Sequence, residues 1–253
     1  MQTPDAALRN ALARDPGRPL ITQYDDRTGE RVELSVATVD NWVSKTANLL
    51  QEAAVEPGST AAVLLPAHWQ TGAILLGCWR AGVAVGYSAV AGAGFDADVE
   101  PQVVFAAADR ADEALGFGAE EVWALSLAPL AAPLRSVPAG AADYAVEVRG
   151  QGDRFAPYAP VDAAGPALVA AGDPAQAVSL AGLGELGAAR ATALGLADGG
   201  RLLVGTDEDV QPSPIDWLVA PLVAGAGVVL LRHPDPARVD HVAETERVTT
   251  RYA

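Results

Sequence analysis

The sequence predicts an α/β protein made of two αβαβ-type halves with mostly parallel sheets. Three observations lead there. Apolar runs of strand length alternate with segments of helix length along the chain, the pattern of strand–crossover–strand units. One such unit, residues 58–88, is echoed at 199–231, an offset of about 140 residues. Each copy is also preceded by an Ala/Leu-rich helical stretch, 38–54 and 180–194. In both copies a glycine starts the first strand, a tryptophan (Trp69, Trp217) stands near the helix start, and Ala-Gly (Ala81-Gly82, Ala224-Gly225) closes the helix. Two copies are too few for a solenoid. The expected division is therefore two related halves, 1–165 and 166–253, or one continuous domain.

The elements follow in order. Residues 4–13 predict a short amphipathic helix with Leu8 and Leu12 one turn apart, stopped by Asp15-Pro16-Gly17. LITQY and RVELS flank DDRTGE, a β-hairpin with Gly29 as its turn residue. Residues 38–54 form a helix with Val39, Trp42, Val43, Ala47 and Leu50 on one face, and Thr38 and Asp40 suit its N-terminus. The first unit then reads as strand GSTAAVLLP, helix AHWQTGAILLGCWRAG and strand VAVGYS. QVVFAA is a buried strand, ADEALGFGA a short helix and EVWALSL a strand. Residues 129–165, rich in Pro, Ala, Gly and Asp, read as a linker or irregular crossover, with weak alternation only at 144–148. PALVAAG restarts the strand pattern, the second unit follows, and 236–246 is a final amphipathic helix.

Composition narrows the function classes. Thirty-two acidic residues against 17 basic ones give a net charge of −15, and Lys45 is the single lysine. Such a surface repels phosphate backbones and anionic lipid, so nucleic acid and membrane surfaces are excluded as partners. One cysteine, Cys78, rules out a disulfide framework and fits a reducing cytoplasm. The N-terminus MQTPDAALRN has no apolar signal core. Residues 71–94 are long enough for a membrane span, but Arg80 inside them would cost roughly 2.5–3.5 kcal/mol at mid-bilayer.

Most local motifs read as structure. Gly92-Ala93-Gly94 lacks the third glycine and the helix of a dinucleotide fingerprint, and no Gly-x-Ser-x-Gly elbow occurs. His233 and His241, with Asp235, Asp240 and Glu244, read as a solvated face rather than a metal site. Asp25-Asp26 and Asp207-Glu208-Asp209 read as turn surface. Five tryptophans fall on apolar faces and belong to the core. Trp69-Gln70-Thr71 and Tyr87-Ser88 stand at element ends, where open α/β sheets place ligands.

Three stretches together resemble the large N-terminal domain of the adenylate-forming superfamily, which includes acyl-CoA synthetases, peptide-synthetase adenylation domains and luciferases. They are LSVATVDNWVSKTANLLQEAAVEPGSTAAVLLPAHWQTGAILLGCWRAGVAVGYS, LGLADGGRLLVG and WLVAPLVAGAGVVLLRHPDPARVDHVAETERVTT, in the family's order and spacing. In that family the strand matching PALVAAG leads into a Ser/Thr/Gly loop ending Pro-Lys-Gly, whose N–H groups, hydroxyls and lysine hold phosphate. Here residues 170–179 read AAGDPAQAVS, with no Ser/Thr pair and no lysine. Asp173 would set a carboxylate against phosphate, a repulsion of about 4 kcal/mol at ~4 Å and an effective dielectric near 20. Pro174 removes an N–H donor.

The resemblance therefore implies a degenerate nucleotide loop at Gly172, Asp173, Gln176 and Ser179, with no catalytic and no metal-ligating residue assigned. The family's Tyr-Gly-x-Thr-Glu motif, its ribose-binding aspartate and its C-terminal lysine have no counterpart in the 253 residues. The expectation is a cytoplasmic, non-catalytic homologue without cofactor, binding a protein partner, a second copy of itself or a small ligand. The alternative is an acyl- or aryl-activating ligase, using ATP and magnesium, completed by a partner chain.

Overall fold

The computed structural model describes residues 2–87, 100–169, 177–207 and 211–252. α1 (Pro4–Arg14) opens the chain, capped by the Thr3 hydroxyl, which accepts from Ala6 N at 3.2 Å. β1 (Pro19–Asp25) and β2 (Glu30–Ser35) make the expected antiparallel hairpin around Gly29. α2 (Val36–Glu52) begins two residues before the predicted start, because Ser35 rather than Thr38 supplies the cap: its hydroxyl accepts from Thr38 N at 3.2 Å.

β3 (Thr60–Leu64), α3 (Trp69–Ala81) and β4 (Ala84–Tyr87) realise the first copy of the repeat, with β3 and β4 adjacent and parallel. β5 (Val103–Ala107), a 3-10 turn running into α4 (Ala111–Leu115), and β6 (Glu121–Leu125) follow as predicted.

Residues 129–165 are built into the fold rather than strung between halves. β7 (Ala142–Asp143) pairs parallel with β6, and α5 (Tyr144–Glu147) drops Tyr144 into the core. Thr46 donates its one proton to the Trp42 carbonyl, so the buried Tyr144 hydroxyl is the donor in the 2.7 Å bond between them. The alternation at 144–148 is thus helical, capped by the Asp143 carboxylate accepting from Ala145 N at 2.8 Å.

β8 (Pro166–Val169), β9 (Val178–Ser179) and α6 (Leu180–Ala193) come next. The second copy of the repeat is β10 (Arg201–Thr206), a π-helical turn at Ile215–Val219 leading into α7 (Ala220–Ala224), and β11 (Gly227–Arg232). β10 and β11 are again adjacent and parallel. α8 (Val239–Thr245) and β12 (Thr250–Arg251) finish the chain.

The shared Ala-Gly signature has a geometric cause. Gly82 and Gly225 adopt φ of +75° and +71°. Each sits at the end of its helix in a Schellman motif: Val83 N donates to Cys78 O and Gly82 N to Trp79 O, and likewise Ala226 N to Pro221 O and Gly225 N to Leu222 O.

Two compact units result. The first gathers Met1–Asp40, Ala67–Gly72 and Ala181–Ala253; the second gathers Asn41–Pro66 and Ala73–Leu180. The first holds a five-stranded sheet in the order β12-β10-β11-β1-β2, parallel except for the hairpin. The second holds a seven-stranded sheet, β7-β6-β5-β3-β4-β8-β9, parallel except for β8–β9. The predicted α/β class with mostly parallel sheets is what forms. The grouping differs from halves at 1–165 and 166–253 because β1 lies parallel to β11, Ile21 opposite Val228, which carries the N-terminal segment into the first unit.

Parallel strands covered on both faces read as continuous apolar runs, and all five residues of β5 are buried. In the first unit a buried carboxylate ties the sheet to α8. Glu246, 3 % exposed, accepts from the Tyr24 hydroxyl at 2.6 Å, from Arg31 Nη2 at 2.8 Å and from Arg201 Nη1 at 2.8 Å. Arg80, the charge within the apolar helix α3, donates to Ser44 Oγ at 2.8 Å. Among the described residues no helix is long and apolar enough to cross a membrane.

Candidate functional site

Open parallel sheets bind ligands beyond the carboxyl ends of their strands. In the second unit that edge is formed by the ends of β3, β4, β5, β6 and β8. β8 closes at Val169, opposite Gly86 of β4, and the position matched to the phosphate loop follows it. Gly172, Asp173 and Gln176 lie outside the described residues, as does Gly92-Ala93-Gly94.

Ser179 is described, and it stands at the other end of the strand. β9 runs antiparallel to β8 and sets Ser179 opposite Pro166, three residues before Val169. At about 3.3 Å per residue, that is roughly 10 Å from the strand end where the loop departs. Its nearness to the loop in sequence does not become nearness at the carboxyl edge.

Two groups at this edge carry chemistry. The Tyr87 hydroxyl, at the end of β4, is shielded from solvent and has no hydrogen-bond partner among the described residues. Burial pushes its phenol up, so it stays a neutral donor; the charge of Arg110 pulls weakly the other way. Arg110, just after β5, is buried and held by Glu113 through bonds of 2.8 and 2.7 Å. Neither group is a nucleophile. Cys78 is no better placed: it is buried on α3, and desolvation pushes its thiol up, away from the reactive thiolate.

The chain's one lysine is committed elsewhere in the second unit. Lys45 Nζ donates to the Gln151 carbonyl, lies 3.4 Å from the Arg149 carbonyl, and pairs with Asp153 at 3.0 Å. Further along α2, Asn48 Nδ2 donates to the carbonyls of Gly152 and Arg154, both at 2.9 Å, and Gln51 Oε1 accepts from Tyr158 N at 2.9 Å. Residues 149–158 are therefore a strap fastened along α2 by its own polar side chains.

In the first unit a surface groove of about 710 Å³ runs between α1 and the end of α7. Its charges already have partners. Arg14 grips Asp198 through two bonds of 3.1 and 2.6 Å, and Arg18 donates to the Gly225 carbonyl at 2.5 Å. The candidate metal residues do not converge. His233 faces Asp25 at 3.0 Å, Asp240 pairs with Arg251 at 2.8 Å, and His241 is exposed. Among the described residues no group of three potential ligands comes together.

The sequence singled out Trp69-Gln70-Thr71 at the start of α3, but not Gln211, Gln23 and His68, whose side chains accept from the backbone N–H groups of Ala67, Trp69 and Gln70 there. The available signal was a glutamine in the middle of a strand whose residues from Leu20 on are all buried.

Comparison with known proteins places this geometry. The family model for AMP-binding enzymes matches residues 8–132. A Mycobacterium tuberculosis protein described as a TIGR03089 family protein is 40% identical over 250 residues, 96% of this chain and 95% of that protein. The crystal structure of a Brucella canis acyl-CoA synthetase superposes with a TM-score of 0.78 at 17% sequence identity. That match takes in 98% of this chain and 46% of the synthetase, so the chain spans about half the length of that enzyme. A likeness at this level of identity is one of fold.

Proposed function

The chain belongs, with its 40% identical mycobacterial relative, to the TIGR03089 family, and with the AMP-binding enzyme model matching residues 8–132 we propose that it is a non-catalytic member of the adenylate-forming superfamily which keeps the scaffold for binding. What it binds is a partner protein or a small ligand. The observation that carries the reading is the placement of Lys45. Adenylation develops negative charge on phosphate oxygens that fixed cations must stabilise. The only lysine, on α2, is occupied by Asp153 and by the carbonyls of Arg149 and Gln151, and the sequence after β8 has no lysine and sets Asp173 next to Gly172.

The residues present do not fit a triphosphate with magnesium, so no adenylation step is assigned to them. Gly172, Asp173 and Gln176 are then the remains of a nucleotide loop, with Ser179 set apart from them opposite Pro166, and the chain works without ATP, AMP or magnesium. Isothermal titration of the full chain with ATP–Mg and with AMP tests this. No heat of binding at millimolar nucleotide is expected, and saturable micromolar binding overturns the loss of the phosphate site.

A second reading is favoured by the 46% coverage of the synthetase: an acid-activating ligase completed by another chain. Its support would be a partner recovered by pull-down that restores ATP–pyrophosphate exchange. Residues 170–179 weigh against it, because a partner does not readily replace groups in the middle of this chain.

A further inference from the structure

The turn entering α3 holds polar groups that the nucleotide-site reading leaves without a role. Helix N-termini present backbone N–H groups that need acceptors, and here side chains supply them. Gln211 Oε1 accepts from Ala67 N at 2.8 Å, Gln23 Oε1 from Trp69 N at 2.9 Å, and His68 Nδ1 from Gln70 N at 3.1 Å. Gln23 and His68 are fully buried, and Gln70 is 1 % exposed.

These bonds fix the chemistry at the far end of each side chain. An amide whose oxygen accepts turns its NH2 the other way, and an imidazole whose Nδ1 accepts carries its proton on Nε2. Gln23 Nε2 and His68 Nε2 are therefore both donors. Each is shielded from solvent without a hydrogen-bond partner among the described residues, and the Gln70 side-chain oxygen is an acceptor in the same condition. Burial, reinforced by the charge of Arg232, keeps His68 neutral and its donor pattern fixed. Three unmatched polar groups on one turn and the strand beside it are too many for a core in which buried polar groups are nearly always paired.

We propose that His68, Gln23 and Gln70 form a buried site for one hydroxyl oxygen, which accepts from the two nitrogens and donates to the glutamine oxygen. Water has that pattern, and so has an alcohol. A carboxylate or phosphate oxygen only accepts and leaves Gln70 unmatched; an ammonium only donates and leaves both nitrogens unmatched. The site lies within the first unit and is independent of whether nucleotide binds.

A crystal structure of the full chain that shows ordered water tests this. An oxygen should lie about 2.7–3.2 Å from both His68 Nε2 and Gln23 Nε2. A crystal soaked in 2-propanol separates the two sources: exchange for the alcohol hydroxyl makes it an alcohol site, and an unchanged oxygen makes it a water site. A dry position, or one filled by a protein atom, overturns the proposal. So does persistence of the oxygen in a folded His68→Phe variant. Where that variant does not fold, NMR of the wild-type chain decides. A protonated Nε2 on His68 with a cross-relaxation contact to a long-lived water or added alcohol is expected, and its absence counts against the site.

Discussion

Lys45 Nζ stands 3.0 Å from the Asp153 carboxylate and holds the strap 149–158 against α2. Asp153 is largely exposed, so the ion pair itself contributes about 0–1 kcal/mol, and the carbonyl contacts add about 1 kcal/mol. Lys45→Met is therefore expected to fold, to lose about 1–2 kcal/mol, and to speed amide hydrogen exchange across 150–158. Unchanged exchange there would show that the lysine does not fasten the strap.

The Glu246 carboxylate is the harder group to remove. Burial pushes its carboxyl up, but hydrogen bonds from Tyr24 and Arg31, helped by the charges of Arg31 and Arg201, outweigh that and hold it below the usual range. Breaking a buried ion pair by removing one partner costs about 3–5 kcal/mol. Arg31 is 44 % exposed and recovers water when the carboxylate goes, which places Glu246→Gln near the lower end of that range. Urea denaturation measures it; a loss below about 1 kcal/mol would mean the network is not formed.

His68 contributes to the loss of stability on the acid side. Burial first, and Arg232 second, hold its pKa well below the model-peptide value of 6.5. The unfolded chain then binds a proton that the folded chain refuses, so stability is intact above pH 6.5 and falls as the pH drops below it. The slope approaches about 1.4 kcal/mol per pH unit. His68→Gln removes this slope between about pH 5 and 6.5 while keeping a polar side chain at the turn. Denaturation midpoints across that window check it, and an equal slope in wild type and variant contradicts it.

Gly82 closes α3 with φ of +75°, and a Cβ there would come 3.0 Å from Pro57 Cβ and 3.1 Å from Val161 Cγ1. A left-handed non-glycine residue costs roughly 1–2 kcal/mol before any clash. Gly82→Ala should lower the thermal midpoint accordingly, and an unshifted midpoint would place another residue at the end of the helix.

Much of this was readable from the chain because the physics is local. Strands such as Val103–Ala107, buried on both faces, appear as unbroken apolar runs, and the Ala-Gly pairs mark helix ends that need a left-handed residue. Long-range pairing was not readable. Nothing near β1 announces β11 as its neighbour, and nothing near Tyr144 announces Thr46. Ser179 shows the same limit: adjacent to the loop in sequence, it is carried by an antiparallel turn of direction to the start of β8. Gln23 looks out of place in a buried strand until α3 supplies the N–H that its oxygen caps.

The claim on which the functional reading rests is that this scaffold no longer handles a triphosphate. ATP–pyrophosphate exchange by the purified full chain, with magnesium and a panel of aliphatic and aromatic carboxylic acids, tests it most directly. No exchange above the no-enzyme control is the outcome expected. Magnesium-dependent exchange that survives in Lys45→Met but vanishes when Asp173 is replaced by a bulkier residue would contradict it, and would return the chain to the enzymes.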